Sequence, residues 1–224
     1  MKGINFKPDM IQAIIEGRKT QTRRVIKPQP PDDARLIGAC DVWGWQLDGV
    51  FISESKPRYQ VGETVYIKER ALYWVSPILE GVEYDKPSDW WSDCVYQDDP
   101  EIPALLADNG RFALERSINQ IVEGNSIIGK WEWKSPLHMP EHYARYFLVI
   151  TDVRAERLQE ITEGGCYMEG VNKDATCYIR ETGKYTEERT SNPRVVFEWL
   201  WNSINKDYPW ESNPWVFVYT FRIK

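Results

Sequence analysis

Two runs of β-branched and aromatic residues, YFLVITDV at 146–153 and WVFVYTFRI at 215–223, limit what this chain can fold into more than any other feature. Both read as strands. They are not joined to the rest of the chain by a regular strand–helix alternation. A helix is expected over 8–16, because Pro8 suits the first helical position, Met10, Ile11, Ile14 and Ile15 recur at helical spacing, and Gly17 supplies a stop. A turn at Gly62 precedes a strand in which Val65 and Ile67 alternate with Tyr66 and Lys68. A second helix starts at Thr162 and runs toward Glu169, although Gly164 and Gly165 weaken it by about 1 kcal/mol each. Asn192–Pro193 opens a third, PRVVFEWLWNSI, with Val195, Val196, Trp199 and Leu200 on one face. The polar stretch 172–191 reads as a loop. The order of helix, several strands, two helices and a strand predicts an α+β fold with a mostly antiparallel sheet or barrel.

Two segments resist regular structure. The prolines of KPQPPDD at 27–33 remove donors and restrict their neighbours. Residues 75–130 are acidic, Trp-rich and irregular, and read as a large insertion in one domain spanning 1–224. At 224 residues, 42% hydrophobic and 28% charged, the chain lies in the globular range. No apolar run approaches about 18 residues, so no membrane-spanning helix is expected. The start MKGINF lacks a long apolar run, and Cys40, Cys94, Cys166 and Cys177 contain no CxxC pair. A cytoplasmic protein with free thiols is the expectation.

Net charge is −6, yet residues 1–36 hold eight Lys/Arg against four Asp/Glu, so the remainder carries −10. The excess centres on GRKTQTRR at 17–24, where Arg18, Lys19, Arg23 and Arg24 surround Thr20 and Thr22 with no acid among them. Grouped cations of this kind suit an anionic ligand, and threonines beside them can hydrogen-bond phosphate or act as nucleophiles. A solvated basic loop would have the same composition. Glu69, ending a predicted strand ahead of Trp74, and Glu169, ending the second helix, are the carboxylates of interest. His138 and His142 are separated by Pro140 and lack a third ligand, so no metal is expected and His138 is read as a ligand contact. Of the tryptophans Trp74, Trp90, Trp91, Trp131, Trp133, Trp210 and Trp215, most are expected to pack in the core or the insertion and about two to face a ligand groove, where they could stack on bases.

Four segments then carry a resemblance: MIQAIIEGRKTQTRRVIKPQP, YQVGETVYIKERAL, SPLHMPEHYARYFLVITDVRAERLQEIT with MEGV, and FEWLWNSIN with NPWVFVYTF. Together they resemble the ASCH-domain family, most of all its longer bacteriophage and prophage members. The resemblance implies a PUA-like fold, a small β-barrel with flanking helices, inside a bacterial host cell. It implies RNA or a nucleoside as ligand and no cofactor. Some small members of that family remove the acetyl group from N4-acetylcytidine, and others have been assigned ribonuclease activity. By resemblance the catalytic set falls on Lys19, Thr22 and Glu169, and the final Arg of the motif on Arg24. Arg18, Thr20, Arg23, Arg24, Glu69, Trp74 and His138 are the expected ligand contacts. Two further readings stand beside the hydrolase: a non-catalytic RNA-binding module, and a phage protein that binds a host protein through the acidic insertion.

Overall fold

A computed structural model describes residues 1–37, 43–75, 95–96, 122–123, 126–127, 130–173, 177–181 and 184–224. Its elements in chain order are β1 (Lys2–Asn5), α1 (Pro8–Ile15), β2 (Gln21–Val25), β3 (Arg35–Ile37), β4 (Trp43–Leu47), β5 (Val50–Ser55), β6 (Thr64–Lys68), β7 (Ala71–Val75), β8 (Val95–Tyr96), β9 (Val122–Glu123), β10 (Ser126–Ile127), β11 (Lys130–Lys134), β12 (Phe147–Arg157), α2 (Glu163–Met168), β13 (Cys177–Glu181), β14 (Lys184–Thr190), α3 (Pro193–Ile204) and β15 (Trp215–Ile223). The fold is α+β, dominated by strands with few helices, as the element order predicts. Among the described residues the strands do not close into a barrel. No helix there is long and apolar enough to cross a membrane. Apart from its short strands, the insertion expected at about 75–130 lies outside the described residues, with Trp90 and Trp91.

Contacts gather into two compact units. The first comprises Met1–Gln12 and Tyr66–Phe147. In it β7 pairs antiparallel with β8 and with β11, which sets Trp74 opposite Trp131. Two 3₁₀ turns, Pro136–His138 and Glu141–Tyr143, follow β11. Ser135 caps the first by accepting from Leu137 N–H at 3.3 Å.

The second unit comprises Ala13–Val65 and Leu148–Lys224. Here β15 lies between β12 and β2, both antiparallel to it. A central place suits its composition, because both faces of WVFVYTFRI are covered and Val216 through Tyr219 are buried. Successive side chains point to opposite faces. On one face Val216 and Val218 meet Leu158, Ile161, Cys166, Val171, Phe197 and Trp201 from the helical side. On the other, Phe217 meets Trp43 edge-on at 5.2 Å and Tyr219 meets Tyr59 at 5.2 Å.

Two expectations are corrected. The stretch 172–191 is not a loop, because its described backbone forms the antiparallel hairpin of β13 and β14. Polarity alone misled there, since a strand needs a pairing partner more than it needs apolar residues. In α3, capped by Asn192 as expected, the buried face is Pro193, Phe197 and Trp201, with Val196 and Leu200 partly buried beside it. Trp199 is exposed, so the helix is rotated from the face expected. Phe197 and Trp201 are four apart, hence on one stripe, and that stripe meets Trp210 through Phe197 at 6.1 Å.

Candidate functional site

The motif 17–24 is half loop and half strand. Gly17 adopts φ 73°, a left-handed conformation open to glycine, and ends α1. Lys19 N–H then donates to Ala13 O at 2.9 Å. Thr20 is fixed through its backbone: its N–H donates to Met168 O at 2.8 Å, and its carbonyl accepts from Phe221 N–H at 2.9 Å. From Gln21 the chain is β2, so Gln21, Arg23 and Val25 share one face while Thr22 and Arg24 share the other. Thr22 pairs with Tyr219, and Arg23 with Val218.

Glu169 reaches the same place from the far end of the chain. Thr162 caps α2 by accepting from Gly165 N–H at 3.1 Å. The helix ends in a Schellman motif, with Gly170 N–H on Tyr167 O at 2.9 Å and Val171 N–H on Cys166 O at 3.2 Å. Gly170 sits at φ 95°, and a side chain there would stand 3.2 Å from Lys19 Cβ. Glycine is therefore required twice at this residue, for the turn and for the approach of Lys19. Gly165 has a similar use. A Cβ on it would lie 3.2 Å from Arg23 Nη2. The glycine that weakens the helix is the gap into which the guanidinium fits.

Lys19 and Glu169 meet. Lys19 Nζ lies 2.7 Å from Glu169 Oε2 and 2.7 Å from the Glu169 carbonyl, and both residues are buried. The ammonium therefore meets a carboxylate and the negative end of α2 at once. Arg23 takes the other oxygen, with Nη1 3.1 Å from Glu169 Oε1. Its Nε and Nη2 donate to Glu156 Oε1 at 2.9 and 2.7 Å. Glu156 extends the network to Arg154 at 3.1 Å. Two buried cations are thus matched by two carboxylates, and removing one member leaves an uncompensated charge.

Burial pushes the Lys19 ammonium below the ordinary lysine range. Glu169 opposes this by charge and hydrogen bond, and the charges of Arg24 and Arg23 reinforce it. Arg24 is also lowered, chiefly by burial, with Tyr59, Glu169 and Tyr219 acting against that shift. Cys166, beside the network on α2, is pushed up by burial to about 11 and stays a neutral thiol.

The motif is thus not a set of cations without acids. Arg18 is exposed and pairs with Glu16, Nε to Oε2 at 2.7 Å, while Lys19 and Arg23 are neutralised by carboxylates more than a hundred residues away. Thr22 is buried on the strand face opposite Arg23. Glu69, in the first unit, is buried and ion-paired with Arg145. His138 is exposed at the end of a 3₁₀ turn, and Trp74 lies on β7.

Glu156 was not among the expected site residues, yet it holds Arg23. Its signal was the pair Arg154-x-Glu156 at period-two spacing, which puts both on one strand face. The strand was expected to stop at 153, but it continues to Arg157. Compared with family models, curated proteins and solved structures, the chain matches none.

Proposed function

We propose that this chain is an ASCH-type amidohydrolase that removes the acyl group from an N4-acylated cytidine. The observation that carries the reading is the buried 2.7 Å contact between Lys19 Nζ and Glu169 Oε2. A lysine whose ammonium is disfavoured by burial, held against a single carboxylate, is a proton-exchanging pair of the kind concentrated at active sites. Thr22 is the nucleophile. Its hydroxyl oxygen adds to the amide carbonyl, and its proton passes to Lys19 in the neutral form. The C–N bond then breaks, the Lys19–Glu169 pair returns a proton to the leaving nitrogen, and cytidine departs. Water then hydrolyses the threonyl ester, which releases the acyl group as its carboxylic acid and restores the Thr22 hydroxyl. The antiparallel β2, β15 and β12, with α2 and α3 over one face, supply the sheet and flanking helices that the family resemblance implies, although the described strands do not close into its barrel.

A binding-only module has less support, because Lys19 and Arg23, the cations it needs for phosphate, are engaged by Glu169 and Glu156. The test is incubation of the purified chain with N4-acetylcytidine. Cytidine should appear, and Thr22→Val and Lys19→Ala should each abolish its release. No release, or unchanged release by Lys19→Ala, would overturn the proposal.

A further inference from the structure

Arg23 crosses a whole strand to reach one of its partners. The register sets Arg23 of β2, Val218 of β15 and Arg154 of β12 in one row, with Glu156 two residues further along β12 on the same face. β2 and β12 are not neighbours, so the Arg23 side chain spans β15 between them, about 10 Å across two strand spacings. Three of its nitrogens are engaged at the far end. Nε and Nη2 donate to Glu156 Oε1 at 2.9 and 2.7 Å, and Nη1 donates to Glu169 Oε1 at 3.1 Å. The Phe197 ring centre lies 6.0 Å from Cζ, and Gly165 leaves the gap for Nη2.

Charges then alternate along one chain of contacts. Arg154 Nε donates to Glu156 Oε2 at 3.1 Å, Glu156 holds Arg23, Arg23 holds one oxygen of Glu169, and the other oxygen holds Lys19. The chain runs from Arg154, whose side chain is 41% exposed and also pairs with Asp152, to Lys19, which is 3% exposed. Arg24 is the further cation that Lys19 senses from β2. From the helical side Cys166 senses Arg23 and Glu169, together with Arg194 and Glu163.

A guanidinium keeps its proton, so among the cations of this chain Lys19 is the one that can yield one. With Glu156 in place Arg23 is matched twice, and one oxygen of Glu169 stays with Lys19. Without it Arg23 and Lys19 would share Glu169 alone, and loss of the Lys19 proton is the readiest relief.

We infer that Glu156 is a positioning residue: through Arg23 it fixes the Glu169 carboxylate and sets how readily Lys19 gives up its proton. The catalytic use of that proton rests on the amidohydrolase reading, whereas the link between Glu156 and Lys19 rests on the contacts.

The test follows the Lys19 Cε resonance through a pH titration of the full chain carrying isotope-labelled lysine, at low salt, with the signal assigned by its loss in Lys19→Arg. In Glu156→Gln, which keeps the shape and removes the charge, the Lys19 midpoint should fall by about half a pH unit or more. In Arg154→Gln, which leaves Glu156 wholly to Arg23, it should rise. A merely structural part for the two residues would lower the unfolding temperature in both variants and move neither midpoint. Arg23→Lys keeps the charge but loses the fork that joins two carboxylates, so in that background the Glu156→Gln shift should shrink. A Lys19 midpoint that stays or rises in folded Glu156→Gln, or an undiminished shift in the Arg23→Lys background, overturns the inference. Should Glu156→Gln not fold, Arg154→Gln decides alone: a rise supports the inference, and no change or a fall overturns it. With N4-acetylcytidine as substrate, the acidic limb of kcat/KM should move to lower pH in Glu156→Gln, because neutral Lys19 is the active form. The titration needs no substrate. Failure to cleave N4-acetylcytidine would therefore overturn the hydrolase and leave the Lys19 result standing, whereas cleavage with an unmoved midpoint would overturn the part given to Glu156 alone.

Discussion

Lys19 Nζ and Glu169 Oε2, 150 positions apart in the chain, lie 2.7 Å from each other in a buried setting. The contact also caps α2, because the same ammonium donates to the Glu169 carbonyl at 2.7 Å. One lysine thus joins the motif loop to a helix end, and the energetic consequences are measurable.

Glu169→Gln removes the charge that balances Lys19 and Arg23. Breaking a buried pair in this way should cost about 3 kcal/mol or more. A guanidinium unfolding curve should show the midpoint falling. An unchanged midpoint would mean that the contact contributes nothing.

Arg23 and Arg18 should behave differently although they are neighbours in one motif. Arg23→Ala takes a buried partner from Glu156 and Glu169, leaving them only Arg154 and Lys19, and should destabilise by about 3 kcal/mol. Arg18→Ala removes an exposed pair with Glu16 and should cost no more than about 1 kcal/mol. Thermal unfolding of the two variants side by side checks the ranking.

Gly170→Ala should cost about 1–3 kcal/mol, since it forces a side chain into φ 95° and against Lys19 Cβ. Gly164→Ala has open space around it and only a distant contact with Thr162, so it should be neutral or slightly stabilising. Urea midpoints of the two variants should move in opposite directions, or the first alone should move.

Alkaline pH should weaken the fold. Burial raises the Cys166 thiol to about 11 and the Tyr219 phenol to about 12, above their ordinary values of 9.0 and 10.0. The folded chain then holds protons that the unfolded chain gives up, so stability from these groups is complete below about pH 9 and is lost as pH rises through about 11 to 12. Tyr219→Phe should flatten the upper part of that decline, at the cost of the hydrogen bond its hydroxyl accepts from Arg58 N–H at 3.0 Å. Denaturant midpoints across alkaline pH for the two proteins provide the comparison.

The face of α3 can be checked by a pair of alanine substitutions. Phe197→Ala opens the core and should cost about 3–5 kcal/mol. Trp199→Ala alters an exposed ring and should stay within about 1 kcal/mol. If the costs were reversed, the rotated helix face would be wrong.

The sequence by itself determined the local elements. Pro8 and Gly17 bracket α1, Thr162 caps α2, Asn192 caps α3, and the residues of WVFVYTFRI specify β15. These depend on interactions within a few residues, which spacing displays directly. The motif also marked Lys19 and Thr22, and resemblance pointed to Glu169. Only the tertiary structure decided that Glu169 meets Lys19, that Glu156 meets Arg23, and that α3 turns Phe197 inward and Trp199 outward. Charge matching and face choice are set by what lies across the fold, and a cation run reads the same in sequence whether its partners are solvent, a ligand or carboxylates more than a hundred residues away.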